Sequence, residues 1–226
     1  MKYRNEIKFT ISKNIAEILK QRLSLLLKID ENSTQADNSY YIRSLYFDDD
    51  NSSAYYEKID GIEFRKKYRI RIYNNDYSFI RLECKYKHEN MTSKEQVLID
   101  RDICDKIIYG KLSEIDTKDN KLLEKFLVDF KTQKLKPSII VDYNRLAYIY
   151  HVSEVRITFD SKIKSGLYNY NLYDSEALTC SVIDDEDVVL EVKFNEILPE
   201  PIAIILSTVP MIRQAYSKFA ACRSIK

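Results

Sequence analysis

Rows of charged side chains at every second position constrain the fold of this chain more than any other feature of its sequence. Such rows occupy residues 4–8, 69–71, 81–87 and 191–193. Successive side chains of a β-strand point to opposite faces, so each row predicts a strand with one charged face and one apolar face. A single charged face would be ordinary, because antiparallel sheets commonly expose one face to water. These faces are several and consist almost purely of Arg, Lys and Glu, so we interpret them as the lining of a shared cavity for a polyanion and a metal ion.

The overall composition excludes some classes of partner. The 226 residues contain 36 Lys and Arg against 35 Asp and Glu, and a net charge of +1 gives no global basic field for nucleic acid or an anionic membrane. Four cysteines and two histidines lack metal-ligand spacing, which argues against structural zinc and disulfides and favours a reducing cytoplasm. The sequence shows neither a signal segment nor a run of ~20 apolar residues. We therefore expect a cytoplasmic protein without an intrinsic membrane segment, formed by one domain over residues 1–226.

The order of apolar, polar and turn residues predicts an α+β fold rich in strands. The predicted strands cover residues 3–11, 40–47, 64–73, 77–87, 95–100, 137–148, 154–160, 178–183 and 188–194. The predicted helices cover residues 13–28, 52–59, 101–109, 119–132 and 201–224, the last broken at Pro210. Asn74-Asn75-Asp76 is a strong hairpin signal between two of the strands. About eight or nine strands can close a small barrel, so we expect a closed antiparallel β-barrel of about eight strands with peripheral helices.

The basic residues of the charged rows indicate a phosphate site. Arg145 and Arg156 each stand within otherwise apolar strands, where a charge without a partner would be prohibitive. Facing an anion, Arg makes bidentate contacts with phosphate oxygens, and Lys acts as a compact point charge. The candidate basic residues are Lys8, Arg69, Arg71, Lys85, Lys87, Arg145, Arg156 and Lys193.

The interleaved carboxylates indicate a divalent cation. Glu6, Glu83 and Glu191 would balance the positive charge of an empty site, and could hold Mg²⁺ or Mn²⁺. These ions take oxygen ligands, typically from one or two carboxylates together with substrate phosphates. Three further acids at residues 48–50 splay around a turn, and we interpret them as a loop cap. Because no Ser or Cys with a nearby His stands out as a nucleophile, the sequence indicates metal-dependent handling of a linear polyphosphate group.

Six short segments, in order along the chain, carry a resemblance to a known family. They are residues 3–9 (YRNEIKF), 45–48 (LYFD), 68–71 (YRIR), 82–85 (LECK), 155–160 (VRITFD) and 190–194 (LEVKF). This pattern resembles the triphosphate tunnel metalloenzymes. Within them it is most similar to the polyphosphate polymerase domain of the vacuolar transporter chaperone (VTC) family, whose C-terminal signature resembles Ser217-Lys218-Phe219.

The resemblance implies a barrel whose tunnel holds a nucleoside triphosphate and a growing phosphate chain. It implies phosphate ligands at Lys8, Arg69, Arg71, Lys85, Arg145, Arg156 and Lys218, with Lys94, expected in a loop before a strand, as a weaker match. It implies Glu191 as the main metal ligand, with Glu6 and Glu83 as weaker candidates. The implied catalytic residues are Arg69, Arg71, Lys85, Lys193 and Glu191, with Mn²⁺ or Mg²⁺ as the cofactor.

One residue distinguishes branches of the resembled family. The hydrolytic branch usually begins with Glu-x-Glu-x-Lys, whereas this chain has Arg4 in place of the first Glu. One carboxylate fewer weakens a two-metal arrangement that activates water, so we expect transfer of the terminal phosphate of ATP to polyphosphate. Hydrolysis of inorganic triphosphate or of a nucleoside triphosphate is the near alternative. A non-catalytic module that binds polyphosphate or a nucleotide is the other, and nucleic acid is not an expected partner.

Overall fold

Ten strands and six α-helices make up the described part of the chain. The computed structural model describes residues 3–33, 35–89, 91–117 and 119–225. The strands are β1 (Arg4–Ser12), β2 (Lys28–Ile29), β3 (Ser39–Asp48), β4 (Phe64–Tyr73), β5 (Asp76–His88), β6 (Met91–Ile99), β7 (Lys136–Tyr150), β8 (Val155–Ser165), β9 (Cys180–Ser181) and β10 (Asp187–Phe194). The helices are α1 (Lys13–Leu23), α2 (Ser53–Ile59), α3 (Arg101–Ile108), α4 (Lys121–Thr132), α5 (Glu200–Ser207) and α6 (Lys218–Arg223). In these ranges no helix has the length and apolar character that a membrane span requires.

Eight of the strands pair into a closed antiparallel ring. The order around the ring is β7, β3, β4, β5, β6, β1, β10 and β8, and β8 pairs with β7 to close it. The short strands β2 and β9 attach to β7 and β8. The join between β1 and β6 is brief, with Arg4 opposite Thr92 and Asn5 opposite Met91. The ring confirms the closed antiparallel β-barrel with peripheral helices.

The alternation along most strands places charged and polar side chains inside the ring and apolar side chains outside it. On one side, α1 and α5 cover Leu190 and Val192 with residues such as Leu19 and Ile202. On another side, α3 and α4 cover β4 and β5, with Phe126 at the centre of that cluster. Burial of apolar surface contributes roughly 25 cal/mol per Å². These two apolar clusters lie between the barrel and its helices. A third apolar cluster lies on the inward faces of the strands, where Ile42, Val141 and Val189 pack together with Phe219 of α6, and the polar cavity takes up the rest of the interior.

Several predicted elements end at different residues in the structure. α1 ends at Leu23 rather than near Lys28, because the chain turns there and pairs Lys28 and Ile29 with β7. The strand predicted over residues 178–183 comprises Cys180 and Ser181 alone within the described residues. β8 continues to Ser165, five residues beyond its predicted end at residue 160.

The C-terminal helix is interrupted more widely than predicted. α5 ends at Ser207 and α6 begins at Lys218, so the break extends far beyond Pro210. The segment between them runs beside β1, where the backbone amide of Gln214 donates to the carbonyl of Lys8 at 2.8 Å. This pairing with β1 takes the place of helical hydrogen bonds.

Lys94 was predicted in a loop, and this prediction is wrong. β6 begins at Met91, whereas the sequence pattern started the strand at Glu95, because the polar residues 92–95 give no apolar alternation. Lys94 is paired with Lys85 of β5 and is part of the barrel wall.

Asp48 and Asp49 cap the start of α2, in line with the predicted loop cap, whereas Asp50 pairs with Lys136. The carboxylate of Asp48 accepts hydrogen bonds from the backbone amides of Ala54 and Tyr55, at 2.8 and 3.2 Å. Asp49 accepts one from the amide of Ser53 at 2.9 Å. These contacts satisfy amides of the first helical turn, which have no partner within a helix.

Candidate functional site

A cavity of about 1570 Å³ occupies the interior of the barrel. Its walls come from inward-facing side chains of the eight ring strands, together with residues of α2 and of the segment around α6. The predicted site residues that line it are Lys8, Arg69, Arg71, Lys85, Lys87, Lys94, Arg145, Arg156, Lys193, Lys218, Glu6 and Glu191. The structure therefore brings the predicted phosphate ligands together in one space, while their contacts with phosphate stay a prediction.

Glu6 and Glu191 form a pair of carboxylates on neighbouring strands. The register of β1 and β10 places Glu6 opposite Lys193 and Lys8 opposite Glu191. The Lys8 amine lies 3.0 Å from Glu6 and 3.4 Å from Glu191, and the Lys193 amine lies 2.6 Å from Glu191 and 3.7 Å from Glu6. Burial and mutual repulsion would raise the pKa of both carboxyls, but the surrounding lysines hold the pKa of each well below its usual value. Both side chains are therefore ionised oxygen donors.

This pair fits a divalent cation in part. The described residues contain no group of three or more His, Cys, Asp or Glu placed to hold a metal ion. Mg²⁺ and Mn²⁺ are commonly held by one or two carboxylates with the remaining ligands from phosphate and water. Glu6 and Glu191 match that donor set, and a bound phosphate chain would complete it.

Glu83 does not share this arrangement. Its side chain is fully buried and does not reach the cavity surface. Its carboxylate lies 2.6 Å from Arg69, 3.0 Å from Lys94 and 3.7 Å from Arg71. Burial would raise the pKa of Glu83, but these three cations hold it well below its usual value. Because Glu83 does not line the cavity, its contacts position the three basic groups, and its role as a metal ligand stays a prediction.

Hydroxyl groups complete the positioning of the two arginines of β4. Arg69 donates to the Tyr46 hydroxyl at 2.8 Å, and Arg71 donates to Ser44 and to Tyr143, each at 3.0 Å. Both guanidinium groups are thus fixed before any ligand arrives, which reduces the entropy lost when a phosphate binds. These hydroxyls were not among the predicted site groups, although Ser44 and Tyr46 share the inward face of β3 by simple alternation.

A second buried carboxylate, Asp160, holds two more of the predicted phosphate ligands. Arg145 donates to its two oxygens at 2.6 and 2.8 Å, and the Lys218 amine lies 2.5 Å away. Burial would raise the pKa of Asp160, but Arg145 and Lys218 lower it. Asp160 was not among the predicted site residues, although residues 156, 158 and 160 lie on one face of β8 by alternation.

The residues that hold Arg156 lie outside the charged rows of the sequence. Its guanidinium lies 2.5 Å from Asp30 and donates to the Tyr40 hydroxyl at 3.0 Å. Asp30 follows β2 in a polar stretch of sequence, and nothing in its local pattern marks it as a cavity residue. Tertiary structure alone brings it to the barrel.

Lysines face one another across three strands of the cavity wall. The register pairs Lys67 of β4 with Lys85 of β5, and Lys85 with Lys94 of β6. Like charges directly opposite each other destabilise a sheet. The Lys85 amine contacts both oxygens of Glu6 at 2.8 Å, yet burial, together with Lys8, lowers its pKa to about 7. The cavity thus has more positive charge than its carboxylates neutralise, which favours an anionic ligand.

Comparison with known proteins identifies first the fold and then the family. A putative adenylyl cyclase from Hippeastrum is 15% identical, with a TM-score of 0.59 over 100% of this chain and 97% of that one. A putative adenylate cyclase from Bacillus halodurans is 14% identical, with a TM-score of 0.52 over 92% of this chain and 89% of that one. At these identities the likeness establishes the fold alone, which is that of the triphosphate tunnel, or CYTH-like, proteins.

The sequence then gives the family. A family model described as the VTC domain matches residues 3–225. The chain therefore belongs to the VTC domain family, as the six short segments predicted. None of the curated proteins that were compared matches the chain.

Proposed function

We propose that this protein is a metal-dependent polyphosphate polymerase that transfers the terminal phosphate of ATP to a growing polyphosphate chain. The observation that carries the proposal is the continuous basic lining of a closed barrel, next to one pair of ionised carboxylates. A linear polyanion with several phosphates can contact basic side chains on many strands at once. A compact anion would contact few of them.

The residues of the chain would act by binding and orienting phosphates. Glu83 holds Arg69, Ser44 holds Arg71 and Asp160 holds Arg145. These three guanidinium groups would therefore bind phosphate oxygens in fixed directions. Phosphoryl transfer needs positioning and charge neutralisation more than covalent help from the protein. Glu191 and Glu6 would hold Mn²⁺ or Mg²⁺, which would neutralise charge on the reacting phosphates.

Hydrolysis of triphosphate is the second candidate, and the fold supports it. The Hippeastrum protein, which shares this fold, is described as having a dominant triphosphatase activity. Here, however, the first carboxylate of the hydrolytic pattern is replaced by Arg4, which pairs with Glu154 at 3.2 Å. A cationic group at this point does not help to hold a second metal ion for water activation, so the arrangement favours transfer over hydrolysis.

The test is to incubate the purified protein with ATP and Mn²⁺ or Mg²⁺ and to resolve the products. Polyphosphate on a gel, with ADP formed in amounts that match the phosphate incorporated, would support the polymerase. Free phosphate without polymer would identify a hydrolase. Binding of ATP and tripolyphosphate without either product would indicate a non-catalytic module and overturn the proposal.

A further inference from the structure

Lys67 differs from its neighbours in the cavity wall, because it has no acidic partner. Lys8, Lys85 and Lys94 each contact a carboxylate at 3.0 Å or less. Within the described ranges, no carboxylate lies within the 4.0 Å limit of an ion pair with the Lys67 amine. This amine instead contacts the Ser217 hydroxyl at 3.4 Å and lies 5.0 Å from the centre of the Phe219 ring.

The charges that face Lys67 from every packed element are nearly all positive. Lys85 faces it from β5, Lys8 from β1, Arg65 from its own strand and Lys58 from α2. The nearby acid is Glu57 of α2, which makes no ion pair with Lys67, while α6 and the residue before it contribute the Phe219 ring and a neutral hydroxyl. Burial, reinforced by these four cations, pushes the pKa of Lys67 well below its usual value. The resting site therefore disfavours the charged form of this amine.

A phosphate chain in the cavity would reverse this balance. An anion nearby favours the charged form of an amine, since the attraction is absent when the amine is neutral. Lys67 lines the same cavity as the proposed phosphate ligands, directly opposite Lys85. Its amine therefore lies where a bound chain would provide the anionic partner that the empty protein lacks.

We propose that Lys67, a cavity-lining lysine without a carboxylate partner, is a further phosphate ligand, and that binding of an anionic phosphate chain beside it is linked to proton uptake by its amine. The inference rests on the proposed binding of a phosphate chain in this cavity. The balance is one proton gained from solvent by the amine, with no covalent change in either partner. Between the pKa of the empty state and the higher pKa of the bound state, binding should tighten as the pH falls.

The experiment is calorimetric titration of the full-length protein with tripolyphosphate. It is repeated at one pH in buffers of different ionisation enthalpy, because the dependence of the apparent enthalpy on the buffer counts the protons exchanged. Tripolyphosphate carries protons of its own, so the quantity to compare is the difference between proteins. Wild type should take up more protons per bound tripolyphosphate than Lys67→Met, by up to one, since the latter has no amine to charge.

Two further variants make the comparison specific. Lys67→Arg keeps a permanent positive charge, so it should bind tripolyphosphate but lose the extra proton, and its affinity should vary less with pH. Lys131→Met, on the exposed part of α4, should exchange as many protons as wild type. Far-ultraviolet circular dichroism checks that each variant is folded, and Lys67→Arg provides the test if Lys67→Met does not fold.

The outcomes separate this inference from the proposed function. Equal proton exchange by wild type, Lys67→Met and Lys67→Arg would show that Lys67 does not titrate on binding and would overturn the inference. Absence of tripolyphosphate binding by wild type would instead refute the phosphate cavity itself. Loss of the extra proton in both Lys67 variants but not in Lys131→Met would establish the linkage.

Discussion

Two buried carboxylates beside the cavity, Glu83 and Asp160, each hold two or more basic groups, so single residues have effects beyond their own contacts. Glu83 holds Arg69, Arg71 and Lys94, and Asp160 holds Arg145 and Lys218. Buried ion pairs contribute little net stability when intact, because desolvation offsets their attraction. Removal of one partner is costly, because it leaves the other charge buried and unpaired. The carboxylates are therefore the sensitive residues of this site.

Asp160→Asn should destabilise the protein by about 3 to 5 kcal/mol at neutral pH, since it leaves Arg145 and Lys218 unpaired. The pKa of Asp160 is lowered in the folded state, below the ordinary value of about 3.9. Its contribution is therefore present above that ordinary pKa and is lost as the pH falls through the folded pKa. Urea denaturation at neutral and acidic pH would measure both effects.

A matched control for this variant is Asp102→Asn. Asp102 is exposed and pairs with Lys106 at 2.6 Å on the surface of α3. Surface ion pairs contribute about 0–1 kcal/mol, so its stability should remain close to that of wild type. An Asp160→Asn protein as stable as Asp102→Asn would contradict the assigned role of Asp160.

Glu191→Gln should separate chemistry from binding. The substitution removes a negative charge while it nearly preserves volume, and the lysines around it would still attract nucleotide. We expect ATP binding to persist and turnover to fall by about 10²-fold or more, the scale of losing one preorganised electrostatic group. Calorimetry and a product assay with Mn²⁺ would measure the two quantities.

Arg71→Ala is the contrasting variant, because it removes a proposed phosphate contact rather than a proposed metal ligand. It should weaken both nucleotide binding and turnover. A folded Glu191→Gln protein with the turnover of wild type would show that Glu191 is not the catalytic carboxylate.

Alternation along strands predicted most of the cavity residues but not their partners. The period of two in β1, β4, β5 and β10 identifies which side chains share a face, and this information is local to each strand. Asp30 could not be assigned in this way, and alternation places Lys67 on the face of Arg69 and Arg71 without showing that it lacks a carboxylate partner. Asp30 reaches Arg156 from a distant part of the sequence, and the isolation of Lys67 from carboxylates depends on several other elements.

At the scale of elements, α6 connects the core with the cavity. Lys218 of this helix contacts Asp160 inside the barrel, and Cys222 of the same helix is fully buried. Phe219 packs against Tyr46 of β3 with ring centres 5.1 Å apart. Ser217 caps the helix by accepting a hydrogen bond from the amide of Ala220 at 3.4 Å. This short helix owes its position to packing, since six residues are too few to form a stable helix alone.

Phe219→Ala should therefore affect both stability and ligand binding. Removal of a fully buried Phe side chain costs about 3–5 kcal/mol, and the loss of packing would let α6 and Lys218 shift away from Asp160. We expect a lower melting temperature and weaker tripolyphosphate binding. Val128→Ala, at an exposed position of α4, is the control and should change neither. Binding of wild-type strength by a destabilised Phe219→Ala would show that α6 does not position Lys218.

The local sequence pattern also failed to predict the structure between α5 and α6. Residues 201–224 contain enough apolar and helix-forming side chains to predict helix throughout. In the structure, residues between α5 and α6 pair with β1 instead, through contacts such as Gln214 with Lys8 and with Thr10. Hydrogen bonding to a distant strand overrides local propensity here, and no local pattern reports it.

At the scale of the molecule, the sequence predicted the strands of the barrel but not all of the strand pairings that close it. The number of strands and their charged faces predicted a closed barrel. The join between β1 and β6 is two residue pairs long, and Glu6 supports it by contacts with Lys85 and with Thr92 at 3.2 Å. Pairing between strands so far apart in sequence depends on the completed fold.

The elongated set of basic residues predicts a preference for longer phosphate chains. A chain of several phosphates can contact basic groups on opposite walls at once, whereas a single phosphate can contact a few of them. Tripolyphosphate should bind more tightly than monophosphate by at least roughly tenfold, about 1.4 kcal/mol. Calorimetric titration with each anion in the same buffer measures the ratio, and equal affinities would contradict an extended site.

The shared ion pairs of the cavity have a further consequence for how it fills. A phosphate chain that takes the amines of Lys8, Lys85 and Lys193 leaves Glu6 and Glu191 buried without counter-charge, and such a state is costly. A divalent cation that arrives with the chain removes that cost, so each ion would raise the affinity for the other by the same factor. The barrel would then load a nearly electroneutral salt of metal and phosphate, and its protein charges would exchange one set of counter-ions for another.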